Sequence, residues 1–408
     1  MNFVYNTAIR LYSFGAKIFA LKDKKANLMI SGQKKTMEIL RNEIDPNDKY
    51  VWIHVSSLGE FEQGRPLIEM IKRENPNQKI LLTFFSPSGY EVCKNYQLAD
   101  TICYLPFDTP SKVKKFLDAV NIDKAIFVKY EFWGNYLSQL KKRGIPTYII
   151  SAIFRPTQMF FKPYGGMFRK MLNCYEKIFV QDKESQDLLA SIGVTNVDIC
   201  GDTRFDRVTD ILENKVDLPI VETFTRSQYT LFVGSSWQPD EDFIIPFFNS
   251  HPEMKMVIAP HEISEERING ILAKIKRPVA LYTKSTPESA ADADCLIIDC
   301  FGILSKSYRF ATVVYVGGGF GVGIHNINEA AVYGVPVIFG PKYHKFKEAR
   351  DLIKLEGAFC VNNAKEYSEI MDKLISDGNF LAKHGEIAGD YIKKHLGATK
   401  KIFAQIFK

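Results

Sequence analysis

The sequence predicts an α/β protein made of two halves, each built around a parallel β-sheet. Between residues 50 and 200, short runs of β-branched and aromatic residues alternate with stretches of helical periodicity. This alternation is typical of βαβ units, whose strands pair in parallel and are buried on both faces. It stops near residue 201 and resumes near residue 229. A chain of 408 residues is also too long for one ordinary hydrophobic core, which favours two domains.

The first half contains five apolar runs that predict buried strands, interspersed with helical patterns. The strands are expected at residues 51–57, 79–85, 124–130, 146–151 and 176–182. The helices are expected at residues 62–74, 110–120, 131–143 and 183–192. From residue 201 to residue 229 the sequence is charged and irregular, which indicates a linker.

The second half repeats the pattern and ends in a helical tail. Its strands are expected at residues 229–236, 255–260, 295–299, 312–318 and 335–340. Residues 391–408 have the pattern of a basic amphipathic helix with no strand after it, and we expect this tail to pack back on the first half. The predicted organisation is therefore an N-terminal helix (1–30), a first domain (31–210 with 391–408) and a second domain (220–390).

Charge and cysteine content exclude several classes of function. The formal net charge of +6 suits anionic substrates or a membrane surface. Basic residues do not interleave with aromatic residues, so nucleic acid is not an expected partner. The seven cysteines are scattered without CxxC or Cys/His spacing, which argues against a disulfide framework and a zinc site.

The N-terminal 21 residues combine apolar side chains with isolated basic ones. Arg10 and Lys17 interrupt the segment, so it is a poor spanning helix, and it lacks the small-residue cleavage site of a secretory signal. Five apolar residues fall near helical spacing and a lysine cluster follows them: Phe3, Ile9, Phe14, Ile18 and Leu21, then Lys22, Lys24 and Lys25. The pattern predicts a helix lying on anionic lipid. A first helix docked on its own domain is the alternative.

The most informative segment is VVYVGGGFGVGIHNINEAAVYGVPVIFGP, residues 313–341. It predicts a strand, a glycine-rich loop containing Gly318 and Gly319, a helix that begins near His325-Asn326, and a second strand. Such a loop lets backbone N–H groups approach a phosphate, and Glu329 could accept hydrogen bonds from sugar hydroxyls. A nucleotide-sugar site is one interpretation, and close packing alone is the other.

Two further turns of the second half carry polar groups at strand ends, where ligands bind in open parallel sheets. Gly234-Ser235-Ser236 would offer free N–H groups and two hydroxyls to a phosphate. Asp240-Glu241-Asp242 would occupy the first turn of the following helix, and no metal is expected there. His261 follows another strand, as either a phosphate contact or an ordinary loop histidine.

Two turns of the first half place carboxylates at strand ends. In HVSSLGEFEQGRP, residues 54–66, a strand ends at Ser56-Ser57, and Gly59 is expected to permit an unusual backbone angle. Glu60 then stands at the start of a helix, either as a charged cap or as a base facing a cleft between the halves. Glu131 follows the strand at 124–130, with a helix-capping role as its alternative.

Taken together, the motifs resemble those of the Kdo transferases of lipopolysaccharide synthesis (Kdo is 3-deoxy-D-manno-octulosonic acid). The resemblance runs in order along nearly the whole chain through HVSSLGEFEQGRPLI, YLPFDTP, FVKYEFWGNYL, VQDKESQDLLASIGV, GDTRFD, FVGSSW, APHE and the segment at 317–349. It implies a GT-B fold, with two Rossmann-like domains facing a central cleft and the donor bound mainly by the second.

The resemblance also implies roles for individual residues. Glu60 matches the general base of the family, and Glu131 matches the second glutamate of its VETELWP-like segment, whose first glutamate is replaced here by Lys129. The family's phosphate turn and GHNxxE-type segment correspond to Gly234, Ser235, Ser236, His325, Asn326 and Glu329. His261 occupies a PRH-type turn. On the acceptor side, Ser57 and Gly59 belong to the same turn as Glu60, and Arg65 is a candidate for an acidic group of sugar or lipid.

The function implied is an inverting transfer of Kdo from CMP-Kdo to a lipid A precursor, lipid IVA, at the cytoplasmic face of the bacterial inner membrane. No cofactor or metal is expected, since the donor releases a monophosphate. Two alternatives remain at this stage. One is a nucleotide-sugar 2-epimerase of the same fold, and the other is a non-catalytic, membrane-associated protein that binds a sugar nucleotide.

Overall fold

Two seven-stranded sheets, all of whose strand pairs are parallel, form the cores of two separate units. The computed structural model describes residues 3–213, 216–226 and 228–407. The first unit comprises Met1–Asp206 and Gly397–Lys408, and the second comprises Arg207–Leu396.

In the first unit the strand order is β3-β2-β1-β4-β5-β6-β7. The strands are β1 Tyr50–Val55, β2 Lys79–Phe84, β3 Thr101–Tyr104, β4 Ile122–Val128, β5 Thr147–Ala152, β6 Lys177–Val180 and β7 Val197–Ile199. The helices are α1 Phe3–Phe19, α2 Lys24–Glu43, α3 Leu58–Glu74, α4 Pro87–Cys93, α5 Pro110–Asp118, α6 Gly134–Lys142, α7 Gly166–Leu172 and α8 Lys183–Ala190.

In the second unit the strand order is β10-β11-β9-β8-β12-β13-β14. The strands are β8 Tyr229–Ser236, β9 Met254–Pro260, β10 Val279–Leu281, β11 Cys295–Ile297, β12 Val313–Val316, β13 Val337–Phe339 and β14 Ala358–Cys360. The helices, the first of which starts at the end of the first unit, are α9 Arg204–Glu213, α10 Pro219–Thr225, α11 Gln238–Ser250, α12 Glu265–Leu272, α13 Pro287–Ala291, α14 Leu304–Ser307, α15 Asn328–Ala331, α16 Lys347–Lys354, α17 Ala364–Ser376 and α18 Gly378–Lys394. A last helix, α19, covers Ala398–Ile406.

All ten predicted strands form, and the four strands that the sequence did not predict are the edges of the two sheets. These are β3, β7, β10 and β14, each three or four residues long. Natural sheets often keep their edge strands short. Length alone does not explain why they were missed, since the interior strands β11 and β13 are equally short and were predicted. Those two are fully buried, whereas the edge strands are buried only in part.

Two expectations about chain organisation are wrong. The predicted linker contains the helices α9 and α10. The predicted single helix at residues 391–408 is divided at Gly397, whose φ of +96° ends the helical path, so α18 stops at Lys394. Residues up to Leu396 belong to the second unit, and the segment from Gly397 belongs to the first.

The returning helix α19 is anchored to the first unit by its cap and by its apolar face. The Asp206 carboxylate accepts hydrogen bonds from the backbone N–H groups of Gly397 and Thr399. Ile402 and Ile406 are buried in the same hydrophobic cluster as Phe61 and Ile68 of α3. The end of the chain thereby completes the core of the first unit.

The N-terminal helix α1 presents many apolar side chains to solvent. Of the five residues in the predicted stripe, only Ile9 packs against the core. Phe3, Phe14, Ile18 and Leu21 are 83%, 64%, 53% and 82% exposed. Among the described residues, no helix combines the length and the apolar character needed to span a bilayer.

Candidate functional site

In the first unit, the turn after β1 places Glu60 in the first turn of α3, partly exposed. The Ser57 hydroxyl donates a hydrogen bond to the Glu60 carboxylate, and it makes no capping bond to a backbone N–H. The expectation of an unusual backbone angle at Gly59 is wrong, because Gly59 is an exposed helical residue without a positive φ. Glu60 therefore presents a partly exposed carboxylate near the carboxyl end of β1, an interior strand of the sheet.

Arg65 lies one turn beyond Glu60 on α3 but is engaged within the unit. Its Nε donates to Glu69 at 2.6 Å, and its guanidinium lies 5.8 Å from the centre of the Tyr96 ring. Arg65 would therefore have to leave Glu69 in order to make the predicted contact with an acidic group of the acceptor.

Glu131 is buried, with 5% of its surface exposed, and hydrogen bonds fix it from three sides. Its Oε2 accepts from Trp133 Nε1 at 2.5 Å and lies 3.1 Å from His54 Nε2. The Tyr175 hydroxyl donates to the Glu131 carbonyl. The helix-capping alternative is wrong, since α6 begins at Gly134. An enclosed carboxylate of this kind suits a positioning role better than proton transfer to a substrate.

In the second unit, the predicted phosphate turn forms the end of β8. Gly234 is required by close packing, because a Cβ there would lie 1.7 Å from the Tyr308 hydroxyl. Ser236 is buried and donates to Glu241 at 2.7 Å, so only one of the two expected hydroxyls remains for a ligand. That residue, Ser235, is partly exposed and has a φ of +51°.

Three aromatic side chains that follow β8, β9 and β12 stack in pairs in the second unit. The His261 ring stacks on Trp237 and on His325, with 4.6 Å between ring centres in each pair. Trp237 Nε1 also lies 3.3 Å from His325 Nε2. Burial, together with the neighbouring His261, lowers the pKa of His325 to about 4. His325 is therefore neutral at pH 7. Because its Nε2 accepts from Trp237, its Nδ1–H is the group that remains to donate to a ligand.

Asp240 connects this stack to the glycine-rich loop. Its carboxylate accepts hydrogen bonds from the N–H of Trp237 at 2.9 Å, the N–H of Gly318 at 3.1 Å and the Tyr315 hydroxyl at 2.8 Å. The Gly318 N–H, which lies in the loop that the sequence suggested for phosphate, is thus occupied by the protein. Burial raises the pKa of Asp240, and these donors act in the opposite direction.

The glycine-rich loop folds back on itself through its glycines. Gly318 has a φ of +92°, and a Cβ there would lie 2.5 Å from the Gly323 carbonyl oxygen. A Cβ on Gly319 would lie 2.5 Å from Gly340. The predicted helix does not begin at His325-Asn326, since α15 covers only Asn328–Ala331. Close packing therefore explains these two glycines, and a single helical turn adds little dipole.

Glu329 lies in α15, and Asn326 is its hydrogen-bond partner. Asn326 Nδ2 donates to Glu329 Oε1 at 3.0 Å, and Asn326 Oδ1 accepts from the N–H of Asn328. Burial raises the pKa of Glu329, while Arg207 and Asn326 act in the opposite direction. A partly buried carboxylate with an amide partner can accept hydrogen bonds from a sugar.

Two residues that shape these sites, His54 and Trp237, were not predicted from sequence. Asp240 was correctly predicted in the first turn of its helix, but its contacts with Trp237 and Gly318 were not. His54 sits inside an apolar strand, which gave no signal of a polar partner. Asp240, three residues after Trp237, has the spacing of a capping box, which could have identified its contact with Trp237.

Comparison with known proteins shows similarity to Kdo transferases. The family described as 3-deoxy-D-manno-octulosonic-acid transferase (kdotransferase) matches residues 30–207. The 3-deoxy-D-manno-octulosonic acid transferase of Aquifex aeolicus is 27% identical over 355 residues, which cover 84% of this chain and 92% of that protein. The enzyme of the same name from Haemophilus influenzae is 24% identical over 375 residues, covering 88% and 86%.

Solved structures with similar folds include enzymes of other activities. The UDP-GlcNAc 2-epimerase from Neisseria meningitidis gives a TM-score of 0.59 at 15% identity, covering 88% of this chain and 98% of that one. MurG from Acinetobacter baumannii gives 0.55 at 12% identity, covering 88% and 99%. At such identities the likeness concerns the fold, and it confirms the predicted GT-B class. In sequence, this chain is similar to Kdo transferases over most of its length, and its fold is that of GT-B enzymes.

Proposed function

We propose that this protein is an inverting glycosyltransferase that moves Kdo from CMP-Kdo to a hydroxyl of a lipid A precursor, lipid IVA. The observation that carries the proposal is the Glu60 turn. It lies within the part of the chain that matches the transferase family, and it presents a partly exposed carboxylate with a single serine partner.

In the proposed reaction, Glu60 takes the proton of the acceptor hydroxyl while that oxygen attacks the anomeric carbon of Kdo. The bond from this carbon to the phosphate oxygen of CMP breaks, and CMP leaves with the electron pair. Attack opposite the leaving group inverts the configuration. A positioned general base of this kind contributes about 10²- to 10⁴-fold in rate.

The second unit is proposed to hold the donor through the groups that its own packing leaves available. Ser235 is the remaining serine of the phosphate turn, and neutral His325 with His261 offers ring N–H donors to the leaving phosphate. Glu329 is proposed to accept hydrogen bonds from the ribose hydroxyls. Asp240 has a supporting role, since it fixes the positions of Trp237 and Gly318.

No metal takes part in the proposed reaction. The leaving group is a nucleoside monophosphate, so there is no diphosphate for a magnesium ion to bridge. The hydroxyl and ring N–H donors named above are proposed to stabilise its charge.

We further propose that the protein works at the cytoplasmic face of the inner membrane, where its acceptor lipid resides. The support is the exposed apolar surface of α1, with Phe14 and Ile18 at 64% and 53% exposure, beside Lys17, Lys22, Lys24 and Lys25. Apolar contact combined with basic charge is the usual basis of binding at an anionic interface.

The deciding experiment incubates the purified protein with labelled CMP-Kdo, with and without lipid IVA, and identifies the lipid product by mass spectrometry. We expect Kdo-lipid only when the acceptor is present, at a rate that excess EDTA leaves unchanged. A parallel incubation with UDP-GlcNAc tests for epimerisation. Conversion of that sugar without any acceptor, or binding of CMP-Kdo without transfer, would contradict the proposal.

A further inference from the structure

Three charged side chains of the first unit follow the carboxyl ends of β1, β4 and β5, which lie on the same side of the sheet. The register pairs His54 of β1 with Phe127 of β4, and Val128 of β4 with Ile150 of β5. Glu60 follows β1, Lys129 follows β4 and Arg155 follows β5. Because these strands are parallel neighbours, the turns after them lie side by side.

Lys129 is held in a backbone conformation that L-residues other than glycine rarely adopt. Its φ is +71°, while its N–H still extends the sheet by donating to the Ile150 carbonyl at 2.9 Å. Its ammonium lies 5.7 Å from the centre of the Tyr130 ring, which is 39% exposed. Strained residues of this kind concentrate at functional sites.

The position of Lys129 is fixed from both sides. Its own N–H is held by the hydrogen bond to Ile150 of the sheet. Two residues later, the buried Glu131 is anchored by His54 and Trp133. The dipeptide Lys129-Tyr130 is therefore a short tip between two anchors. The backbone that carries this cation is therefore ordered before an anion binds, which lowers the entropic cost of binding.

The two cations on this side of the sheet have no carboxylate partner within the described part of the chain, whereas the acidic side chains near them are engaged. Neither Lys129 nor Arg155 forms an ion pair there, and Arg155 is exposed. Asp202 is bound by Arg204 and Gln63, and Asp182 caps α8 through the N–H of Ser185. Burial raises the pKa of Tyr130, and the charge of Arg155 acts in the opposite direction.

We propose that Lys129 and Arg155 form an anion-binding subsite beside Glu60 that holds an acidic group of the acceptor. This inference rests on the proposed function and extends it to acceptor specificity. The acidic group is a phosphate monoester of the glycolipid or the carboxylate of a sugar that the glycolipid already carries. Binding it would position the neighbouring hydroxyl for deprotonation by Glu60.

The test compares Lys129→Gln and Arg155→Gln with the parent protein, and uses Lys49→Gln as a matched control. Lys49 is an exposed cation directly before the amino end of β1, and so lies away from the carboxyl ends of the strands. We expect each subsite variant to raise the acceptor KM about ten-fold, the scale of one charge-assisted hydrogen bond. The donor KM and the kcat should change less than about two-fold, and Lys49→Gln should behave like the parent.

Three acceptors distinguish the source of the anion: phosphorylated, enzymatically dephosphorylated, and phosphorylated with one Kdo already attached. If the variants have a higher KM than the parent for the phosphorylated acceptor but the same KM for the dephosphorylated one, phosphate is the ligand. An increase in KM confined to the Kdo-bearing acceptor identifies the sugar carboxylate. Equal KM values for the parent and both variants on all three acceptors would overturn the subsite.

Equilibrium binding separates this inference from the proposed function. The affinity for each glycolipid in detergent, without CMP-Kdo, is measured for the parent and the variants, with unfolding midpoints as a check on folding. If the parent transfers no Kdo, the proposed function fails, while a roughly ten-fold weaker affinity in Lys129→Gln still supports the subsite. Unchanged affinity in both subsite variants would refute it whether or not transfer occurs.

Discussion

Glu60 stands in the first turn of α3 with one hydroxyl partner, and the proposed mechanism assigns it the proton transfer. Glu60→Gln keeps the shape of the side chain and removes its basicity. We expect kcat to fall about 10²- to 10⁴-fold while the affinity for CMP stays within about two-fold. Single-turnover transfer and CMP titration are the measurements, and Glu74→Gln, at the far end of α3, is the control. Transfer at the parental rate would show that Glu60 is not the base.

His325, in the aromatic stack of the second unit, is expected to make the stability of the protein depend on pH. Its pKa is lowered to about 4, from an ordinary value of 6.5, so the folded state binds this proton less readily than the unfolded chain. Stability should therefore fall as the pH decreases from 6.5 towards 4, and the His325 contribution should be constant above pH 6.5. The effect should be on the order of 1 kcal/mol, allowing for solvent screening of a partly exposed ring.

The measurement is urea unfolding at pH 7 and pH 5 for the parent protein and His325→Gln. Glutamine does not titrate, so the variant should lose less stability between these two values than the parent does. Identical losses in both proteins would mean that His325 titrates normally in the folded state.

At the scale of elements, two glycines in candidate turns have opposite requirements. Gly318 has a φ of +92° and no room for a Cβ, while Gly59 is an exposed helical residue where a Cβ would lie 3.8 Å from the Ser57 hydroxyl, an ordinary contact. Gly318→Ala should destabilise the second unit by about 1–3 kcal/mol and weaken donor binding. Gly59→Ala should be neutral or stabilise by roughly 0.5 kcal/mol. Denaturant midpoints test both, and equal effects would contradict the loop geometry.

The helix α1 is the element on which membrane binding is proposed to depend. Replacing Phe14 and Ile18 by serine should weaken binding to anionic vesicles by at least about ten-fold, because each exposed side chain would lose its apolar contact. Vesicle sedimentation measures this, with neutral vesicles as a comparison. Val92→Ser, on the exposed side of α4, is the control. Parental binding by the double variant would exclude α1 as the membrane contact.

At the scale of the whole molecule, the last helix, α19, packs into the hydrophobic core of the first unit. Ile402 of α19 is fully buried, so Ile402→Ala should destabilise the first unit by about 2–5 kcal/mol. Lys400→Ala, on the exposed side of the same helix, should change stability by less than about 0.5 kcal/mol. Calorimetry resolves the effect if the two units unfold separately. A mild effect of Ile402→Ala would mean that α19 contributes little to this core.

The sequence alone determined the fold class, the ten interior strands and the turns in which the candidate residues lie. Buried parallel strands are continuous apolar runs, and glycine and polar residues mark their ends, so both signals are local. The ordered motifs also indicated the family. The edge strands, the helices α9 and α10 and the break at Gly397 were missed or wrong, because their signals are weak or depend on a partner elsewhere in the chain.

Only the tertiary structure decided which groups in those turns are available to a ligand. Ser236 is occupied by Glu241, the Trp237 N–H by Asp240, and Glu131 by His54, 77 residues earlier in the chain. The stack of Trp237, His261 and His325 likewise joins three strand ends. A local pattern can show that a polar group stands at a strand end. Whether another side chain has already satisfied that group depends on contacts between distant segments, which exist only once the chain has folded.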